Sequence, residues 1–227
     1  MPAHGTWLEA ALNGPWTRAL QPGVPVAVRE IVEQGIACAR EGAGIIHVHA
    51  YDEGSGRQRD DGELYRRIIE GIREQEDVIV YPTLPLAGSP DAPAAMGAAE
   101  RFRLGAALHR QVPRAPLPMF SDGFAFGFPP REYALETYRT LLLEEAPARP
   151  WMVAGLAVDI RPLIQAATAL GGHVRVGLED APFGHVWSNV IWTRTAASSI
   201  ENSGGRVAPA NEIRRALQGI GVAGLDQ

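Results

Sequence analysis

Two rhythms of apolar residues run through the chain. Thr6 to Leu12 is an apolar run stopped by Asn13-Gly14-Pro15, which reads as a strand entering a loop. Val28, Ile31, Val32, Gly35, Ile36 and Ala39 then fall at helical spacing, and Gly42 and Gly44 close that helix. Ile45 to Tyr51 alternates as a second strand. Leu64, Ile68, Ile69 and Ile72 form the stripe of a second amphipathic helix, and DVIVYPT, ending at Thr83, is a third strand. Strands that alternate with helices predict parallel pairing through crossover helices.

The rhythm blurs in the middle. PLAGSPDAPAAMG (85–97) is a long loop rich in Pro, Ala and Gly, Glu100 to Arg110 a helix, and APLPMFSDGFAFGFPP (115–130) an irregular strand or loop whose SDGFAFGF part reads as a lid or as a strand. Order returns with a helix from Arg131 to Glu145, its buried stripe Leu135, Tyr138, Leu141 and Leu142. WMVAGLAVD is a strand, Arg161 to Leu170 a helix, and HVRVGLED (173–180) a strand. Helices Ser188 to Asn202, with Ser188 as N-cap, and Ala210 to Gln218 finish the pattern. About six strands can be read, whereas a complete eightfold barrel takes about 250 residues. The expected fold is α/β, a (β/α) barrel of the triosephosphate isomerase type, either shortened below eight strand–helix units or with middle strands that the pattern hides, as a single domain over residues 1–227.

The alternation also sorts residues by chemistry. His47, His49 and Tyr51 share one face of their strand, with Ile46, Val48 and Ala50 on the other. Glu9, Ala11 and Asn13 oppose Leu8, Ala10 and Leu12. His173, Arg175, Gly177 and Glu179 oppose Val174, Val176 and Leu178. In a barrel the first strand neighbours both the second and the last, so these polar faces meet inside near the C-terminal strand ends, where such barrels carry their sites. Charged groups there are costly unless they pair or bind something. Two imidazoles and a carboxylate suit zinc, with His47, His49 and Glu179 as ligands. The alternative is that core hydrogen bonds satisfy the two histidines. His173 reads as a deeper, structural residue.

Composition narrows the chemistry. All 21 basic residues are arginine. Without lysine, Schiff-base catalysis, pyridoxal phosphate attachment and a carbamylated-lysine metal bridge are excluded within the chain. Cys38 is the single cysteine and sits in a helical pattern, so an internal disulfide and a thiolate cluster are excluded and a packing role is expected. A net charge of −5 without a basic run argues against nucleic acid as partner. No run of about 20 apolar residues suggests a membrane span, the N-terminus lacks signal features, and a cytoplasmic protein is the expectation. RQRDDGELYRR reads as a solvated loop and helix start, the short GSG at 54–56 as a weak phosphate signal, and Trp187 and Trp192 as core or interface residues on the penultimate helix.

AALNG (10–14), EGAGIIHVHAYDEGSG (41–56), the Tyr65 to Val80 segment and GGHVRVGLED (171–180) resemble the β-keto acid cleavage enzyme family, as do a later SN and EIRRAL. The resemblance covers the first 90 and last 75 residues or so and implies a triosephosphate isomerase-type barrel, usually a homotetramer, with zinc. It implies condensation of a β-keto acid with acetyl-CoA to give acetoacetate and a new CoA thioester. It implies that His47, His49 and Glu179 are metal ligands and that Arg175 and Asp180 are the polarising and acid/base pair. Thr83 falls at the family's small hydroxyl position. Pro15-Trp16-Thr17 stands where some members have an acidic residue, and Ala181 where most have Asn. Two other readings stay open: a different metal-dependent hydrolase or lyase on such a barrel, and a shortened relative that binds metal and ligand without catalysis.

Overall fold

The computed structural model describes residues 5–59, 61–83, 117–122, 127–147 and 149–221. The loop at 85–97, the helix expected from Glu100 to Arg110, most of SDGFAFGF, and the histidines His4 and His109 lie outside the described residues. Six parallel strands form one sheet in the order β5-β2-β1-β8-β7-β6: β1 (Leu8–Ala11), β2 (Ile45–Val48), β5 (Ile79–Pro82), β6 (Met119–Phe120), β7 (Met152–Gly155) and β8 (His173–Val176). The fold is α/β, of the (β/α) barrel type, with β1 flanked by β2 and β8 as expected. Among the described residues the barrel is not closed between β5 and β6.

The crossover helices are α1 (Val28–Arg40), α2 (Gly62–Arg73), α3 (Glu132–Glu145), α4 (Ile164–Ala169), α5 (Asn189–Asn202) and α6 (Ala210–Gly221). Local chemistry sets their starts. Asp61 accepts from the N–H groups of Glu63 and Leu64, and Ser188 from that of Ile191. Glu30 reaches back to the N–H groups of Val26 and Ala27. Leu135, Tyr138 and Leu142 are buried as their spacing predicts. The helix read from Arg161 opens instead as a 3-10 turn, Arg161–Leu163, with Pro162 in its first turn. No helix of the described residues is long and apolar enough to cross a membrane.

The outward strand faces pack under the helices. Ala10, Leu12, Ile46 and Val48 join Ile31, Ile68 and Ile72, while Leu8, Val153, Val174 and Val176 join Leu135, Ile164 and Trp192. A third cluster fills the N-terminal end of the lumen: Trp7, Ile45 and Met152 meet Ala208 and Ile213. There His173 stacks on Trp7, with ring centroids 4.1 Å apart, and its Nδ1 accepts the Trp7 backbone N–H at 3.1 Å. Burial pushes its pKa down to about 3, so it stays neutral. Cys38 is buried in the α1 layer, and burial pushes its thiol up to about 12.

Two strand readings need correction. The second strand stops at Val48, and Tyr51–Asp52 (β3) pairs antiparallel with Arg57–Gln58 (β4) in a separate hairpin. The last strand stops at Val176. Gly177 (φ 144°) then turns the chain, and the N–H groups of Asp180 and Ala181 both donate to its carbonyl. A Cβ on Gly177 would lie 2.1 Å from the Ala11 oxygen, so the approach of β8 to β1 requires a residue without one.

Candidate metal centre

β2 delivers the two histidines. His47 lies opposite Ala11 on β1 and opposite Tyr81 on β5. His49 lies beyond the strand end and is held by Asn13, which extends the ladder with its side chain. The Asn13 Oδ1 accepts the His49 N–H at 2.9 Å, and its Nδ2 donates to the His49 oxygen at 3.0 Å. The hairpin supplies the ring's partner: Gln58 Oε1 lies 3.0 Å from His49 Nδ1. An amide oxygen accepts only, so this contact favours the His49 tautomer with its proton on Nδ1, which turns Nε2 to the lumen as a ligand atom.

The Nε2 atoms of His47 and His49 are 3.2 Å apart, and they lie 3.4 Å from Glu179 Oε2 and Oε1 respectively. All three residues offer ligand atoms within 4.8 Å of one another. Two donors bound to one tetrahedral zinc at 2.0–2.1 Å stand roughly 3.3 Å apart, which matches these spacings. Among the described residues, buried Glu179 Oε2 has no hydrogen-bond partner, a costly arrangement that a cation would relieve. The residues present fit a divalent metal.

β8 and its turn supply the charged partners. Arg175 Nε and Nη2 hold Asp180 Oδ2 and Oδ1 at 2.9 and 3.0 Å in a two-pronged pair. Nη2 also meets Glu179 Oε1 at 2.7 Å, and Nη1 meets Glu9 Oε1 at 3.4 Å. The fork that could take a substrate carboxylate is thus spent on Asp180. Three carboxylates surround one guanidinium and, fully ionised, leave two negative charges in a buried cup. The titrations reflect that excess. Burial, with Glu179 and Glu9 nearby, pushes Asp180 up to about 7 against the pull of Arg175. Burial likewise raises Glu9. Burial opposes the Glu179 charge too, yet Arg175 and the two histidines hold its carboxyl well below the usual range. Burial pushes His47 down to about 3, the neutral form that ligates metals.

Of the residues picked out by pattern or resemblance, His47, His49, Glu179, Arg175 and Asp180 converge. Thr83 follows β5, and its N–H donates to the Val48 oxygen at 3.0 Å. Among the described residues, no hydrogen bond ties its hydroxyl to the others. Gln58 was passed over as part of a solvated loop, because nothing local shows that the hairpin folds back on His49. Trp16 is a second addition: its indole N–H donates to the Glu179 backbone carbonyl oxygen at 2.7 Å, and its ring meets Phe183 edge-on. Tyr51 is buried on the same side, with its hydroxyl donating to the Gly14 and Trp16 carbonyls.

The profile described as beta-keto acid cleavage enzyme matches residues 6–112 and 103–218. A 3,5-dioxohexanoate:acetyl-CoA acetone transferase of Paraburkholderia graminis is 33% identical over 108 residues, 48% of this chain and 32% of that protein. The chain thus spans about a third of that relative's length. A 3-dehydrocarnitine:acetyl-CoA trimethylamine transferase of Rhizobium meliloti is 24% identical, with 86% of this chain and 90% of that protein covered. Among solved structures, ObcA in a ternary complex with a C4-CoA adduct and oxalate superposes with a TM-score of 0.51 at 14% identity, covering 87% of this chain and 68% of that one, a likeness of fold alone.

Proposed function

Because the chain belongs to the beta-keto acid cleavage enzyme family, we propose that it cleaves a β-keto acid with acetyl-CoA, using a zinc ion held by His47, His49 and Glu179. The products would be acetoacetate and a new CoA thioester. The observation that carries the metal part is the convergence of two imidazole Nε2 atoms and a carboxylate oxygen that has no hydrogen-bond partner among the described residues, in a cup whose three carboxylates, when ionised, outnumber its one guanidinium in charge. A dication neutralises that excess. Both relatives named above carry acetyl-CoA transferase names, which supports the second substrate.

When bound, zinc would supply Lewis acidity toward a keto oxygen and its enolate. The chain's own residues do the rest. Gln58 and Asn13 fix the ring and backbone of His49, so its Nε2 needs no reorganisation on binding. Arg175 clamps Asp180 by both oxygens, which leaves Asp180 in a fixed orientation beside Glu179 as the proton-handling carboxylate. Thr83 is assigned a supporting hydroxyl role by its place after β5. With no lysine, an imine route through this chain is closed. A single-domain homotetramer without nucleic-acid or membrane partners, acting in the cytoplasm, completes the reading.

Elemental analysis and a substrate panel test it together. Purified protein should hold close to one zinc per chain, and His47→Ala and Glu179→Ala should lose most of it. Incubated with acetyl-CoA and a panel of β-keto acids, the wild type should release acetoacetate. Bound zinc with no acetoacetate from any panel member would refute the reaction, and loss-free alanine variants would refute the ligand set.

A further inference from the structure

Glu9 lies on the lumen face of β1, only 4% exposed, and the mechanism above gives it no task. Burying a carboxylate there opposes folding, and an apolar side chain would be buried at lower cost. Its contacts say what it does. Glu9 Oε1 accepts from the Tyr81 hydroxyl at 2.5 Å and from Arg175 Nη1 at 3.4 Å. The Tyr81 ring, in turn, lies against the His47 imidazole, with centroids 4.7 Å apart and planes tilted by 38°.

The register makes this a spanning element. Tyr81 is the cross-strand partner of His47 on the β2–β5 pair, and Arg175 is the partner of Glu9 on the β1–β8 pair. The Tyr81–Glu9 hydrogen bond therefore runs from β5 to β1 across the lumen side of β2. It joins the strand pair that carries His47 to the strand pair that carries Arg175, Glu179 and Asp180. The bond holds the Tyr81 ring in place against the His47 imidazole, whose terminal torsion is broad and is otherwise set by packing.

We propose that Tyr81 and Glu9 form a brace under the cup. It fixes the His47 ring from one end and the Arg175–Glu179 pair from the other, and so sets how far apart the metal-binding atoms stand. Both are positioning residues. This deepens the metal reading and rests on it.

Tyr81→Phe keeps the ring and removes the hydroxyl; Glu9→Gln keeps the shape and removes the charge. Each is to be titrated with Zn2+ against a chromophoric chelator, loaded with Co2+ for its visible absorption, and checked for fold by circular dichroism. Each folded variant should bind Zn2+ roughly 10-fold or more weakly and give an altered Co2+ band, since removing an outer partner of a ligand typically costs 10–100-fold in affinity. The double variant should lose less than the two single losses combined, because Tyr81→Phe removes the hydrogen bond that Glu9→Gln weakens by taking away the acceptor's charge. Zn2+ affinity within about twofold of wild type in both singles, with the wild-type Co2+ spectrum, overturns the brace. Fully additive losses overturn it as well. If Glu9→Gln does not fold, Tyr81→Phe alone decides. A wild-type chain that binds no Zn2+ sinks the metal reading and the brace together, whereas wild-type binding with unaffected variants sinks the brace alone.

Discussion

Replacing Gly177 with alanine adds one methyl group where β8 closes on β1. The new Cβ would sit 2.1 Å from the Ala11 oxygen, 2.8 Å from its carbonyl carbon and 3.0 Å from its nitrogen. All three are backbone atoms in a paired strand, so no side chain can swing aside. The residue also has φ at +144°, a region that L side chains rarely adopt. Strain of that kind costs about 1–3 kcal/mol, and forced overpacking about the same again. Gly177→Ala should therefore destabilise by roughly 2–6 kcal/mol, which for a chain of this size lowers Tm by about 5–20 °C. Two other glycines separate the terms. Gly171 has φ at +80° but open space around its Cβ position, so Gly171→Ala should show the conformational part alone. Gly62, at the start of α2, has neither restriction, and Gly62→Ala should be neutral or stabilising by up to about 1 kcal/mol. Urea unfolding of the three variants reads the series. Because the Gly177 turn also carries Glu179 and Asp180, Gly177→Ala should lose zinc affinity while the other two keep it. Equal stability of Gly177→Ala and Gly62→Ala would refute the idea that a tight β1–β8 approach builds the acidic side of the cup.

Further outcomes follow from other contacts. Gln58→Leu removes the acceptor that holds the His49 tautomer, and should weaken Zn2+ binding about 10–100-fold while hardly moving the melting temperature of the zinc-free chain; unchanged affinity by chelator competition contradicts this role. His173 titrates near 3 when folded, because burial disfavours its charged form, and near 6.5 when unfolded. Between those values the unfolded chain holds the extra proton, so the His173 contribution is complete above about pH 6.5 and is lost at up to about 1.4 kcal/mol per pH unit toward pH 3. Urea midpoints at pH 7.5 and 5 should therefore separate more in wild type than in His173→Phe, and an equal separation argues against a neutral buried imidazole. Cys38, with its thiol pushed up to about 12 by burial, should resist iodoacetamide at pH 8 in the native protein and react fully in urea; rapid native labelling would show that its layer of the core is open.

Much of the site was legible because side chains alternate along strands. His47 and Glu9 could be placed on the inner face from the apolar residues between them, and the β1–β2 and β1–β8 neighbours followed from the alternating pattern of strands and helices. The rule failed where strands end. Glu179 was counted inward by continuing the alternation, but β8 stops at Val176. Its carboxylate reaches the cup through the Gly177 turn, and the same turn brings the adjacent Asp180 to the same guanidinium. Asn13 could be placed on the inner face and in the AALNG motif, but its contact with His49, like those of Gln58 and Tyr81, had no signal, since what each does depends on a partner 36, 9 or 72 residues away.

Residue type and strand period alone therefore determined which chemistry the lumen could hold: imidazoles, carboxylates and arginine, with lysine chemistry closed. Those are local properties, repeated every second residue. Tertiary structure decided the distances. Whether two nitrogens stand 3.2 Å apart and each 3.4 Å from one oxygen of the same carboxylate depends on register between strands, on a hairpin folding back, and on a glycine turn. Each of these is set by packing between segments that lie far apart along the chain.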